Sequence, residues 1–415
     1  MARILVITSS IGSIRLANAE LARRLAVHGH DTEVLVAGDD VPDLLGRQHR
    51  MRVSPPTRGL GRSSVHASIG ANGLEDARTA LLDRAPDAVL VDIEQHEWVA
   101  VATTLGVPVG LTSVWVTPLR SLTSPPLDRH DPMPVGPRAR IINVGHWAHR
   151  RTVPVRLRAR AAIATRGADR LTVLRAFTRR HGIDLRDVVD MGAWLRPWAY
   201  RRLPILVFAP SEMNFEPEER LDHVGPMFVP VTDDSIPASI GTLLERPHDL
   251  VVYVGFGTLA AGYQDNRVRR VLDAAAQRPH WAFVFGLGGS IEPDSLGTLP
   301  DNVVALSWVP QRAVLARADV TVTHSGIATV MESIAADAPL VIYPGMRDQP
   351  GNGARVVHHR LGLRGEPGDG GAELVELIEA AHADQEIAVA ITQMRSSFDR
   401  YAGAAEAVVD RMLAG

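Results

Sequence analysis

A chain of 415 residues is long enough for two or three domains, each with its own apolar core. It has no cysteine, which excludes thiolate nucleophiles, cysteine-ligated zinc, iron–sulfur clusters and disulfides together; all 44 basic residues are arginine, which excludes lysine Schiff bases and the Gly-Lys-Ser/Thr phosphate loop. A net charge of −3, with 22% charged and 46% hydrophobic residues, is globular composition and gives no reason to expect nucleic acid as a partner.

The apolar run Ile4 to Ile7 predicts a buried strand, followed by a Ser/Gly loop and a helix with Leu21 and Leu25 on one face that stops at Gly29. Val34 to Val36 predicts the next strand. Ala88 to Asp92 predicts another, leading past Glu94 and His96 into a helix over 97–105 closed by Gly106. Continuous apolar strands alternating with helices imply a parallel sheet covered on both faces. Residues 121–137 are rich in proline and polar side chains, so a long loop and lid candidate is expected there. Thirteen arginines then lie between Arg138 and Arg186 against Asp169 and Asp184 alone, a local excess of +11. Solvated helix surface is the first reading of that excess, and attraction of an anionic acceptor or an anionic membrane surface the second.

Ile205 to Phe208 predicts a return to the sheet, and Val224-Gly225-Pro226 with the stretch to Pro247 an interdomain linker. Beyond it the pattern restarts, with strands at Leu250 to Val254, Trp281 to Phe285, Val303 to Leu306, Val320 to Thr323 and Leu340 to Tyr343. Two doubly wound domains place a ligand in the crevice outside the carboxyl ends of their strands. Gly286-Leu287-Gly288-Gly289 does not complete a dinucleotide fingerprint, which argues against nicotinamide chemistry. No apolar run approaches the ~20 residues of a spanning helix, and the first run is too short for a secretory signal, so a cytoplasmic location is expected.

The densest set of chemistry-bearing residues runs from Trp308 to Gln349. Trp308-Val309-Pro310-Gln311 follows a strand and offers an indole face and an amide to a planar base. Thr323-His324-Ser325-Gly326 follows the next strand and opens a helix, whose unpaired amides and dipole suit a diphosphate without metal or lysine. Thr329 and Glu332 lie on that helix, with Glu332 in reach of a ribose. Asp348-Gln349 follows Pro344 and has the acceptors and donors that hold sugar hydroxyls.

With Pro339 and Pro344, these positions resemble the nucleotide-sugar signature of the family-1 glycosyltransferases, in the style of the bacterial members that decorate macrolides and aromatic polyketides. The resemblance implies an α/β fold of the GT-B type, two Rossmann-like doubly wound parallel-sheet domains facing a cleft. It implies an acceptor-binding domain over 1–225, a linker over 226–248, a nucleotide-sugar domain over 249–395, and a helix over 396–415 that returns to the first domain. Trp308 and Val309 would meet the base, Gln311 and Glu332 the ribose, His324, Gly326 and Thr329 the diphosphate, and Asp348 and Gln349 the sugar. Tyr253-Val254-Gly255-Phe256-Gly257-Thr258 resembles the family's Ser-Phe-Gly-Ser/Thr turn, with Gly255 where serine is common; Gly257 and Thr258 join the donor set. The implied activity is inverting transfer from a UDP- or TDP-sugar to a small natural-product acceptor, with no metal or other cofactor required and a homo-oligomer left open.

One departure falls in the acceptor half. The family's base is a histidine in Gly-His-x-x-Pro after the first strand, whereas this chain reads Ser10-Ile11-Gly12-Ser13-Ile14-Arg15. Counting from Gly12 puts Ser13 in the histidine's place, and counting back from Gly29-His30 puts Ile14 there. The aspartate that orients the base corresponds to Asp92. Three routes stay open: Asp92 takes the acceptor proton, His96 stands in, or the acceptor arrives ionised, which suits the arginine-rich segment. A non-catalytic homologue that binds donor and assists another transferase is the competing reading.

Overall fold

The computed structural model describes residues 1–37, 52–54, 71–129, 136–164, 170–189, 200, 202–216, 220–230, 236–257, 261–289 and 291–415. The first domain contains, in chain order, β1 (Arg3–Ser9), α1 (Gly12–Val27), β2 (Asp31–Ala37), β3 (Arg52–Ser54), α2 (Ala71–Leu82), β4 (Ala88–Asp92) and α3 (His96–Ala102). It continues with β5 (Val109–Ser113), α4 (Pro137–Ala164), α5 (Arg170–Arg180), α6 (Leu185–Val188), β6 (Ile205–Val207) and β7 (Asp222–His223). Among the described residues these strands form one sheet in the order β3-β2-β1-β4-β5-β6-β7, every pairing parallel. Ile4 to Ile7 and Ala88 to Val91 are fully buried. Burial on both faces is why these strands are continuous apolar runs rather than alternating ones.

The second domain opens with α7 (Ala238–Leu244), β8 (Leu250–Gly255), α8 (Ala261–Gln277), β9 (Trp281–Gly286), β10 (Val303–Leu306) and α9 (Gln311–Leu315). Then come β11 (Val320–Thr323), α10 (Ile327–Ala335), β12 (Leu340–Ile342), α11 (Gln349–His358), β13 (Gly362–Arg364), α12 (Gly371–Ala383), α13 (Gln385–Ser397) and α14 (Ala404–Ala414). Its strands form a parallel sheet in the order β10-β9-β8-β11-β12-β13. In each sheet the strand order reverses beside the first strand of its domain, between β1 and β4 and between β8 and β11. Such switch points open a crevice at the carboxyl ends. Ser9 and Asp92 end the two strands at the first switch, and Gly255 and Thr323 those at the second.

Three sequence expectations change. The returning element is not one helix over 396–415: α13 ends at Ser397, the chain turns through Gly403 at φ 75°, and α14 begins at Ala404. A non-glycine residue would pay a steric cost at that φ. The helix after β4 starts at His96 and stops at Ala102. The lid candidate is, over its described part 121–129, a fixed strap. Leu127, Ser121 and Ser124 are buried, Trp147 Nε1 donates to the Ser124 carbonyl at 2.9 Å, and the Gly351 amide of α11 donates to the Leu127 carbonyl at 2.7 Å. Residues 130–135 lie outside the described residues.

Candidate active site

At the second switch point, His324 follows β11 and its buried ring lies against the end of β8, Nδ1 3.2 Å from the Gly255 carbonyl. A carbonyl only accepts, so Nδ1 carries the proton and Nε2 of the neutral ring keeps its lone pair. Burial pushes the imidazole down to about 4, with the nearby Arg267 cation acting the same way. Nε2 sits between two glycines: a Cβ on Gly257 would stand 2.7 Å from it and one on Gly326 2.6 Å. Gly257 also has φ 78°, so backbone conformation and close approach both demand glycine there. Gly326 is the N-cap of α10 and has no side chain to satisfy the helix's first amides. The helix N-terminus and the His324 ring thus lie together, a corner whose chemistry suits an anion. Thr258 lies outside the described residues.

Gln311, at the start of α9, joins the ribose candidates into one network. Its Nε2 donates to Glu332 Oε2 at 2.5 Å and to Thr329 Oγ1 at 3.3 Å, and its Oε1 accepts from the Tyr253 hydroxyl at 2.7 Å. Burial raises the Glu332 carboxyl to about 7, opposed by the Gln311 bond. Thr329, expected at the diphosphate, therefore turns toward the ribose pair. Tyr253 was missed in the sequence; its signal is the glycines on adjacent strands, since a Cβ on Gly255 or Gly286 would stand 2.9 Å from its hydroxyl. That accounts for Gly255 where the family has serine.

Trp308 is half exposed, with its Cη2 edge 3.9 Å from where a Gly12 Cβ would lie, so the indole meets the Ser10–Arg15 loop across the cleft. Val309 follows it, half-buried. Asp348 N-caps α11 and accepts from Asn352 Nδ2 at 2.8 Å, its carboxyl raised mainly by burial. Gln349 Oε1 accepts from the amides of Gly345 and Met346, both at 3.0 Å, so the amide braces the loop as well as facing it. Arg267, from α8, is buried and places its guanidinium over Phe256 and toward the Pro344 carbonyl. Nothing local marks this arginine among 44.

Across the cleft, Asp92 ends β4 fully enclosed. Oδ1 accepts from the Glu94 amide at 3.1 Å, and Oδ2 has no hydrogen-bond partner among the described residues. Burial, then the Glu94 charge, raises the carboxyl to about 7. Glu94 crosses to the donor domain, where Arg347 Nη2 contacts its two oxygens at 2.7 and 2.8 Å. His96 is buried rather than idle on a polar face, with Nδ1 2.5 Å from the Tyr200 hydroxyl. Ser13 is exposed in the first turn of α1. The structure thus brings the described donor candidates to the second switch point and puts Asp92 at the first; Ser10 to Arg15, which runs into α1, holds no histidine.

The family profile described as UDP-glucoronosyl and UDP-glucosyl transferase matches residues 245–365, the segment that holds the whole donor set. Oleandomycin glycosyltransferase of Streptomyces antibioticus is 39% identical over 102 residues, 25% of this chain and 24% of that protein. Residues 245–365 are thus similar to this glycosyltransferase family. Demethyllactenocin mycarosyltransferase of Streptomyces fradiae is 32% identical over 173 residues, 41% of this chain and 37% of that family member. The aligned segments therefore span well under half of these curated relatives. The crystal structure of the glycotransferase of kitacinnamycin superposes with a TM-score of 0.69 over 99% of this chain and 98% of that one, at 21% identity. The chain has the GT-B fold. Among the described residues, no helix is long and apolar enough to cross a membrane.

Proposed function

We propose that the protein transfers a sugar, with inversion, from a UDP- or TDP-sugar to a small natural-product acceptor. The observation that carries this reading is the His324 corner, where two glycines press backbone against Nε2 at a helix N-terminus beside the Gln311–Glu332 pair. That arrangement suits a nucleoside diphosphate, with ribose on the carboxylate and diphosphate on the helix amides. The names of the oleandomycin glycosyltransferase and demethyllactenocin mycarosyltransferase relatives agree with a natural-product acceptor.

Asp92 is our candidate for the base. A carboxyl held at about 7, with one oxygen unpartnered, is matched to accepting an acceptor hydroxyl proton near neutral pH. As the proton moves to Oδ2, the acceptor oxygen bonds to the anomeric carbon and the bond from that carbon to the diphosphate oxygen breaks. Charge on the departing diphosphate is met by the first amides of α10, which the Gly326 N-cap leaves without a side-chain partner. Arginine attraction of an ionised acceptor has less support. Arg140, Arg150, Arg180 and Arg186 of the arginine-rich segment each lie on a carboxylate, namely Glu216, Asp128, Glu75 and Asp184.

A panel of UDP- and TDP-sugars screened by thermal shift identifies the donor, because a ligand that binds only the native state raises its melting temperature. Turnover with neutral and acidic acceptors then separates the routes. Asp92→Asn abolishing transfer to neutral acceptors supports Asp92, and His96→Ala doing so supports His96. The missing histidine favours one alternative, a donor-binding homologue that assists another transferase. Donor binding with neither transfer nor hydrolysis, and activation of a second transferase on mixing, would establish it.

A further inference from the structure

Far from the cleft, two histidines and an aspartate converge where the last helix meets the first domain. His28 ends α1, Gly29 turns the chain at φ 105°, and His30 leads into β2, which sets the two imidazoles side by side with ring centres 5.6 Å apart. Asp410, on α14, points between them. Its Oδ2 lies 3.0 Å from His28 Nε2 and its Oδ1 3.3 Å from His30 Nε2, and one donor atom from each of the three side chains falls within a 4.8 Å cluster. The His30 side chain is only 10% exposed; the 3.3 Å approach of Asp410 is the polar contact of its Nε2, and Nδ1 has no hydrogen-bond partner among the described residues. Three further facts make the site reachable and open: His28 is 45% exposed, Asp410 is 51% exposed, and both face solvent.

We infer that His28, His30 and Asp410 form a surface site for one divalent transition ion of the zinc type, which staples α14 to the N-terminal domain. Zinc bound to imidazole and carboxylate at about 2.0–2.2 Å in a tetrahedron sets its ligand atoms about 3.3 Å apart, close to both nitrogen–oxygen separations here. Neutral imidazoles and a carboxylate are ligands that such an ion prefers, and solvent supplies the fourth position. One ion would take Nε2 of both imidazoles and one carboxylate oxygen, in place of the two direct contacts that Asp410 makes with the rings. The staple adds to contacts already holding this helix, the burial of Ala405, Val408 and Val409 against Ile4, Val6, Leu21 and Leu25 and the Arg411–Asp222 pair. His28 and Asp410 are 382 residues apart, so no local spacing in the sequence announces the site.

Full-length protein stripped with EDTA is titrated with zinc chloride at pH 7.5 by calorimetry and by thermal melting. The wild type is expected to take up one equivalent with a higher melting temperature, and His30→Ala and Asp410→Asn to bind that equivalent about tenfold or more weakly, as loss of one of three ligands implies. The double variant His358→Ala/His359→Ala, which alters another histidine pair, is expected to keep it. Thermal shifts by UDP-sugars should be the same in the wild type and both ligand variants, so the result does not depend on the donor site. The inference is overturned if the wild type takes up no equivalent, or if His30→Ala and Asp410→Asn retain it with unchanged affinity.

Discussion

His324 and Asp92, one in each domain, are opposite cases of burial. Enclosure makes the imidazole a weaker base, at about 4, and the carboxyl a weaker acid, at about 7. Near pH 7 the imidazole is therefore neutral and the carboxyl partly ionised, and the ionised fraction of Asp92 is the form that takes a proton. Gly326→Ala isolates the first. Gly326 has φ −61°, so alanine brings no backbone strain, but its Cβ would collide with Nε2. UDP affinity measured by calorimetry is expected to fall at least about tenfold with little change in melting temperature, the size of a misplaced charge-assisted contact. Asp92→Asn isolates the second, with turnover on a neutral acceptor expected to fall by about 10² to 10⁴. Stability should move the other way. The folded pKa lies above the unfolded value of 3.8, so the wild type loses stability as pH rises from about 4 through about 7, a loss the amide does not share. Melting temperatures of variant and wild type should diverge over that window, with Asp92→Asn the more stable at pH 8.

Element by element, the cleft is closed by α11 and the turn before it. Arg347 lies in the left-handed region at φ 60° and reaches Glu94, so a strained residue of the turn before α11 is tied to the loop that follows Asp92. One turn along, Gly351 lets the strap pass: a Cβ there would stand 2.7 Å from the Leu127 backbone. Arg355, wholly buried, donates to the Gly351 carbonyl at 3.0 Å and to Thr117 Oγ1 at 2.8 Å, and packs over Phe215. Burial holds its guanidinium down at about 9. Glu94→Gln is expected to lower kcat/KM for donor by about tenfold through KM, because a charge-assisted pair across the cleft becomes a neutral contact. Steady-state kinetics check it. Gly351→Ala should lower the melting temperature by several degrees, since the collision is with backbone and not with a side chain free to move.

At the scale of the molecule, the domains are joined twice, by the linker and by the C-terminal segment. Arg312 of the donor domain donates to the Val229 carbonyl of the linker and stacks on Phe228, and Gly225 at φ 72° admits Tyr401, whose Cβ would lie 2.6 Å from a Cβ at 225. The Tyr401 hydroxyl donates to Glu212 at 2.7 Å. Beyond it α14 completes the N-terminal core. Deleting residues 404–415 removes Val408 and Val409 from that core and should cost about 4 kcal/mol or more, at about 2 kcal/mol for each buried valine. Denaturant unfolding of the truncated chain checks this, with the N-terminal domain expected to unfold first.

What the sequence determined by itself was what is written in consecutive residues. Runs such as Ala88 to Val91 and Leu250 to Val254 specify parallel strands because burial on both faces leaves no alternation, and Trp308, Gln311, His324 and Glu332 each follow such a strand closely enough for the switch point to collect them. Tertiary structure alone decided the rest. Tyr253 joins Gln311 because Gly255 and Gly286 vacate neighbouring strands; Asp92 acquires a base's proton affinity through enclosure and the Glu94 charge; Arg347, Arg355 and Leu127 bind the domains through contacts hundreds of residues apart; and His28, His30 and Asp410 meet only when the last helix returns. A strand's burial pattern is local and so is legible in order along the chain. Proton affinities, close approaches and shared ligands depend on what the completed fold places alongside each side chain.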